Sequence, residues 1–110
     1  QALQFKLADM TTNLVAARQM VRLAASKLEN NDPDSTTYCA MAKRFATDVG
    51  FDVCNEALQI FGGYGYIQDY PLERYVRDVR VHQILEGTNE IMKMIVGRRM
   101  LLEGAARIIQ

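Results

Sequence analysis

From Leu3 the apolar positions fall at Leu3, Leu7, Met10, Leu14, Ala17, Val21, Ala24 and Leu28. Alternating spacings of three and four predict an amphipathic helix of about 27 residues. The polar "NNDPDS" that follows, with its proline, ends it. Asp34 or Ser35 is placed to cap a second helix. That helix carries Tyr38, Ala42, Phe45, Val49, Val53, Ala57 and Ile60, and stops at Gly62-Gly63. "LERYVRDVR" reads as a short helix behind Pro71. A last helix begins near Thr88 and carries Ile91, Ile95, Leu102, Ala105 and Ile109. No alternating run or hairpin dipeptide signals a strand. The short loop between the first two helices makes them antiparallel neighbours. The expected architecture is an all-α antiparallel four-helix bundle, a single domain over residues 1–110.

Length changes this picture. The first two helices each span about 40 Å, and a last helix of about 20 residues is too short to cover both. An unmatched apolar stripe predicts an oligomer or missing domains. The chain opens mid-pattern at "QALQFKLADM", without Met or a targeting peptide. It is expected to be a piece of a longer protein.

Hydrophobic residues make up 49% and charged residues 24%, a globular composition. The formal net charge is zero, which leaves no basic surplus for nucleic acid or an anionic membrane. No apolar run approaches the roughly 18 residues that a span requires. Cys39 and Cys54 share one expected helix, about 22 Å apart by helical rise, too far for a disulfide. Two reduced, packed thiols in a reducing compartment are expected.

The segment from Phe61 to Met92 does not fit a plain bundle. Gly62, Gly63 and Gly65 exceed what a helix stop needs. They serve either a loop between helices or the close approach of a ligand to bare backbone. In "LEGTNEIM", Thr88 suits an N-cap and Glu90 suits the first turn. The free N–H groups of such a helix start are a site for a phosphate or another polar edge. Glu86, between apolar Ile84 and Leu85 and that helix start, is either a solvated loop carboxylate or a general base.

Other chemistries lack their residues. A di-metal bundle needs Glu-x-x-His pairs, but the one His is His82 and position 79 is Val. There is no zinc spacing and no nucleophile elbow, so no metal site is expected. His82 reads as a packing or hydrogen-bonding residue. Arg74, Arg77, Asp78 and Arg80 read as a salt-bridged face, and the six methionines as gap-fillers.

Taken together, these residues resemble the C-terminal helical domain of the acyl-CoA dehydrogenases. The family signature is matched by Gln59, Gly62, Gly63, Gly65, Tyr66, Asp69, Arg74 and Asp78 at every spacing. "ILEGTNEIM" is similar to the family's catalytic loop and last helix, and "LADM" and "AKRFATD" also look like family sequence. The wording is nearest to the isobutyryl-CoA and short/branched-chain members.

The resemblance implies FAD and an acyl-CoA thioester held face to face. It implies removal of an α-proton by a carboxylate, hydride transfer to the flavin, and release of a 2-enoyl-CoA. Glu86 falls on the position of the base, with its own backbone N–H among the donors to the enolate oxygen. Members of the isovaleryl type carry the base on an earlier helix and lack this Glu. Thr88, Asn89 and Glu90 match flavin-adenine contacts. Gln59, Ile60, Phe61, Gly62 and Gly63 match a strip on the FAD of a neighbouring subunit, and Gln1 matches another FAD contact. Glu86, Gly87 and Arg98 match the substrate side; as a bare sequence feature Arg98 is equally a surface helix residue. Leu85 stands where the medium-chain pattern has Tyr, which alters the shape of the pocket.

The resemblance further implies missing N-terminal helical and middle β domains, a homo-oligomer (tetramer expected), and an electron-transfer flavoprotein as partner. The location would be the mitochondrial matrix in a eukaryote and the cytoplasm in a bacterium. The fragment alone is expected to be inactive. Two other readings remain open: a catalytically silent bundle for oligomerisation or partner binding, and an acyl-CoA oxidase that passes electrons to oxygen.

Overall fold

A computed structural model describes residues 1–109; the side chains of Ala105 and Ala106 lie outside the described residues, and with them the expected core role of Ala105. The elements in chain order are α1 (Ala2–Glu29), α2 (Ser35–Phe61), α3 (Gly63–Tyr66), α4 (Leu72–Arg80), a 3-10 turn (Val81–Gln83), α5 (Asn89–Glu103) and α6 (Ala105–Ile109). No strand occurs among the described residues, so the all-α expectation holds.

Helix α2 is the hub. Helices α1, α3, α4 and α5 all pack on it. α1 and α2 run antiparallel: Lys6 pairs with Glu56 at 3.0 Å at one end, and Lys27 lies over the Tyr38 ring at the other. Small residues dominate the buried positions of the two helices, Ala17 and Ala24 on α1 and Ala40, Ala42 and Val49 on α2. Alanine costs little side-chain entropy in a helix and lets two backbones approach closely.

The α1–α2 loop departs from the simple cap. Asp34 stands at the N-cap of α2 without a side-chain cap bond. Its carboxylate instead accepts from Arg107 at 2.8 Å. Asp32 turns the chain, accepting the Asp34 N–H at 2.8 Å and the Lys27 ammonium at 3.0 Å. These two bonds, the backbone one foremost, hold the Asp32 carboxyl below the usual carboxylate range. The same bond from Lys27 to Asp32 raises the lysine.

The last helix is not continuous. Gly104, at φ +84°, breaks it after Glu103. α6 then folds onto the start of α2, where Tyr38 Oη donates to the Ile108 carbonyl at 2.9 Å. Ile108 is therefore the buried residue there, while Ile109 and Leu102 face outward. α5 runs antiparallel to α2, since Asn89 meets Thr47 and Asp48 while Arg107 meets Asp34.

The bundle is open. Among the described residues α1 packs substantially on α2 alone. Leu7, Leu14 and Val21, at heptad spacing beside the seam, are 42–48% exposed. Met20, Met41 and Met100 line an open groove between α1 and α5 rather than a closed core. Of the expected charged face on α4, the one ion pair among the described residues is Arg77–Glu73 at 3.9 Å. His82 lies exposed in the 3-10 turn, with no side-chain hydrogen bond among the described residues. Cys39 and Cys54 are free thiols on α2, and burial pushes the Cys54 thiol up.

Candidate functional site

The connection from α4 to α5 is built around two left-handed residues. Glu86 has φ +56° and Gly87 has φ +89°. The left-handed region costs a non-glycine L-residue about 1–2 kcal/mol. Asn31, in the α1–α2 loop at φ +53°, is of a type that tolerates it; Glu86 is not. At Gly87 a Cβ would also sit 2.6 Å from Met92 Cε. Glu86 and Gly87 are both exposed.

Beyond the kink, Thr88 caps α5. Its Oγ1 accepts from the Ile91 N–H at 3.3 Å. The first N–H groups of α5, at Asn89 and Glu90, have no intrahelical acceptor. With the dipole they make a donor edge open to an anionic or polar group.

Asn89 is 5% exposed and fixes this helix start to α2. Its Nδ2 donates to Thr47 Oγ1 at 2.9 Å and to Asp48 Oδ1 at 2.7 Å. Its Oδ1 accepts from Lys43 Nζ at 2.7 Å. Lys43 Nζ donates again, to the Gly87 carbonyl, at 2.7 Å. Asp48 Oδ1 also accepts from Gln83 Nε2 at 2.9 Å, and Arg44 lies 3.5 Å from the other oxygen. Asn89 stands among the expected flavin-adenine contacts, and its side chain is spent inside the chain. Lys43, Thr47, Asp48 and Gln83 were not singled out by the sequence pattern. The signal that carries three of them is the "AKRFATD" run itself, read as one face of α2.

The glycine strip sits elsewhere. Asp48 to Gln59 is about 16 Å of helix rise, so Gln59–Gly63 and the Glu86 loop do not converge within one chain. The antiparallel register of α1 brings Gln1 to the same end of the bundle as Gln59–Gly63. Gln1, Gln59, Ile60, Phe61, Gly62 and Gly63 are all exposed. Arg98 is exposed too, on the third turn of α5, on the side of Glu86 away from the glycines.

The glycines differ in what they need. Gly62, at φ +62°, ends α2. The expected loop after it is a helical turn, and Gly65 is buried there: a Cβ would lie 2.5 Å from the Leu58 carbonyl oxygen. At Gly63 a Cβ would meet nothing within 4 Å. No described residue would crowd a Cβ at Gly63, in contrast to Gly65.

The acyl-CoA dehydrogenase C-terminal domain model matches residues 1–101. The chain belongs to that family. It is 56% identical over 103 residues to the mitochondrial isobutyryl-CoA dehydrogenase of Bos taurus, covering 94% of this chain and 25% of that protein. The solved butyryl-CoA dehydrogenase of Megasphaera elsdenii superposes with a TM-score of 0.88 at 48% identity, over 92% of this chain and 26% of that one. The solved FAD complex of PigA superposes with a TM-score of 0.87 at 29% identity, over 94% and 27%. The chain spans about a quarter of the length of the curated relatives it matches.

Proposed function

We propose that this chain is the C-terminal domain of a longer FAD-dependent acyl-CoA dehydrogenase acting on a short or branched acyl-CoA, with Glu86 as the base. The observation that carries the reading is the left-handed Glu86–Gly87 step directly before a capped helix start. A strained non-glycine residue in a member of this family motivates a functional role for its side chain.

An α-proton beside a thioester is weakly acidic. Its removal requires a carboxylate held in reach and donors aimed at the developing enolate oxygen. In this reading the left-handed step would carry the Glu86 carboxylate, and the Glu86 backbone N–H would serve as one donor to the enolate oxygen. The Glu86 side chain is exposed in this chain, so the apolar enclosure belongs to the N-terminal helical and middle β domains of the longer enzyme. Bound FAD supplies the acceptor for the hydride that leaves the β-carbon. The backbone N–H groups of Asn89 and Glu90, with Thr88, would hold the flavin-adenine side. Gln59–Gly63, with Gln1, would contact the FAD of a neighbouring subunit. Their distance from Glu86 supports a site shared between subunits. Gly87 and Arg98 would line the substrate side.

The exposed row at Leu7, Leu14 and Val21 supports a homo-oligomer, with a tetramer as the proposed state. The electron acceptor is proposed to be an electron-transfer flavoprotein. The location follows the source, mitochondrial matrix or bacterial cytoplasm. The fragment alone lacks enclosure and neighbours and is proposed to be inactive. The bovine relative's name supports a branched acyl group.

The test is a panel of short and branched acyl-CoAs mixed with the full-length protein while flavin absorbance is followed. Fast bleaching with isobutyryl-CoA and slow bleaching with longer straight chains is the expected result. No bleaching with any thioester would sink the reading and favour a silent bundle.

A further inference from the structure

The kink at Glu86–Gly87 needs something to hold it. Two consecutive left-handed residues are free to relax unless their neighbours fix them. On the α5 side the fixing comes from the local Thr88 cap and from buried Asn89, which bonds to α2. At the kink itself the side-chain hydrogen bond comes from Lys43, whose Nζ meets the Gly87 carbonyl at 2.7 Å. The same ammonium meets Asn89 Oδ1 at 2.7 Å. Lys43 therefore ties the carbonyl of the strained step to the anchored helix start and both to α2. Its stem rises from the third turn of α2, the helix on which the others pack. A hydrogen bond from a charged donor is stronger than one between neutral groups.

We propose that Lys43 is a positioning residue for Glu86: by clamping the Gly87 carbonyl it fixes the left-handed step and so the direction of the carboxylate. This rests on the reading of Glu86 as the base. Lys43 touches neither substrate nor flavin in this role. It acts through the backbone.

The test uses the full-length enzyme with Lys43→Met and Lys43→Arg. Two readouts are taken: flavin reduction with ordinary and α-deuterated acyl-CoA, and amide exchange across Leu85–Met92. In Lys43→Met, flavin reduction should slow about 10- to 100-fold, the scale of an ångström-sized misplacement. KM and FAD content should change little, and the deuterium effect on reduction should persist or grow. Exchange in the loop should rise. Lys43→Arg, which keeps charge and donors, should recover part of both. Should Lys43→Met lose its flavin, Lys43→Gln, with similar length and a remaining donor, carries the same test. Unchanged reduction, or slowed reduction with unchanged exchange, would overturn the proposal. Glu86→Gln is run in parallel. If it still reduces flavin normally, the base reading fails, and the exchange result alone then decides whether Lys43 holds the loop.

Discussion

Asn89 Nδ2 and Asp48 Oδ1 meet at 2.7 Å across the α2–α5 contact, in a buried position where the amide has a partner for each of its polar atoms. This bond joins the helix that presents the Glu86 loop to the helix that carries the fold. Its consequences are structural before they are chemical.

Asn89→Ala should destabilise the domain by about 2–3 kcal/mol, since it removes a buried amide and leaves Asp48 and Lys43 short of a partner. Urea unfolding of the chain checks this. Asn89→Asp should not rescue it, because a carboxylate there faces Asp48 without a proton to donate.

Thr88→Ala should cost about 1 kcal/mol by loss of the bond to the Ile91 N–H, and Thr88→Ser should recover most of it. The same unfolding measurement decides, read against helix content by circular dichroism.

Gly63→Ala and Gly65→Ala should separate fold from function. At Gly65 a Cβ would press on the Leu58 carbonyl, so the change should destabilise by about 1–3 kcal/mol. At Gly63 a Cβ meets nothing within the chain, so stability should hold or rise slightly. In the full-length protein, Gly63→Ala should instead weaken FAD retention, read by flavin content after gel filtration. Normal retention would remove the flavin from that strip.

The turn at Asp32 carries a pH dependence. Its carboxyl is held below the usual range by the Asp34 N–H and Lys27. A lowered folded value means that the stabilisation is present above the unfolded carboxylate value and is lost as pH falls through the folded one. Lys27 is raised by the same pair, so its share is present below the ordinary lysine value and lost as pH rises through the raised one. Asp32→Asn should flatten the acid limb of a stability–pH profile. An unchanged acid limb would place the effect elsewhere.

How far the sequence reached depends on how local each signal is. The spacing of Leu3 to Leu28 and of Tyr38 to Ile60 marked α1 and α2 to within a few residues, because helix periodicity repeats every turn. Thr88 was legible as a cap because its partner is three residues away. The clamp from Lys43 to Gly87 spans 44 positions, and the register that creates it exists only once α5 lies on α2. The break at Gly104 was missed because the apolar spacing continues through it. Of the α1 stripe Ala17 and Ala24 are buried among the described residues, in keeping with the unmatched apolar stripe that helix length implied. A row that waits for a neighbouring domain or subunit has the same sequence pattern as a core.

The central claim, that Glu86 removes the α-proton, is tested most directly by stopped-flow flavin reduction in the full-length protein. Wild type and Glu86→Gln are compared with isobutyryl-CoA after matching their FAD content. The account predicts rapid bleaching in the wild type and a fall of about 100-fold or more in the variant, the low end of general-base contributions. Bleaching at the wild-type rate in Glu86→Gln would contradict it and place the base on another residue.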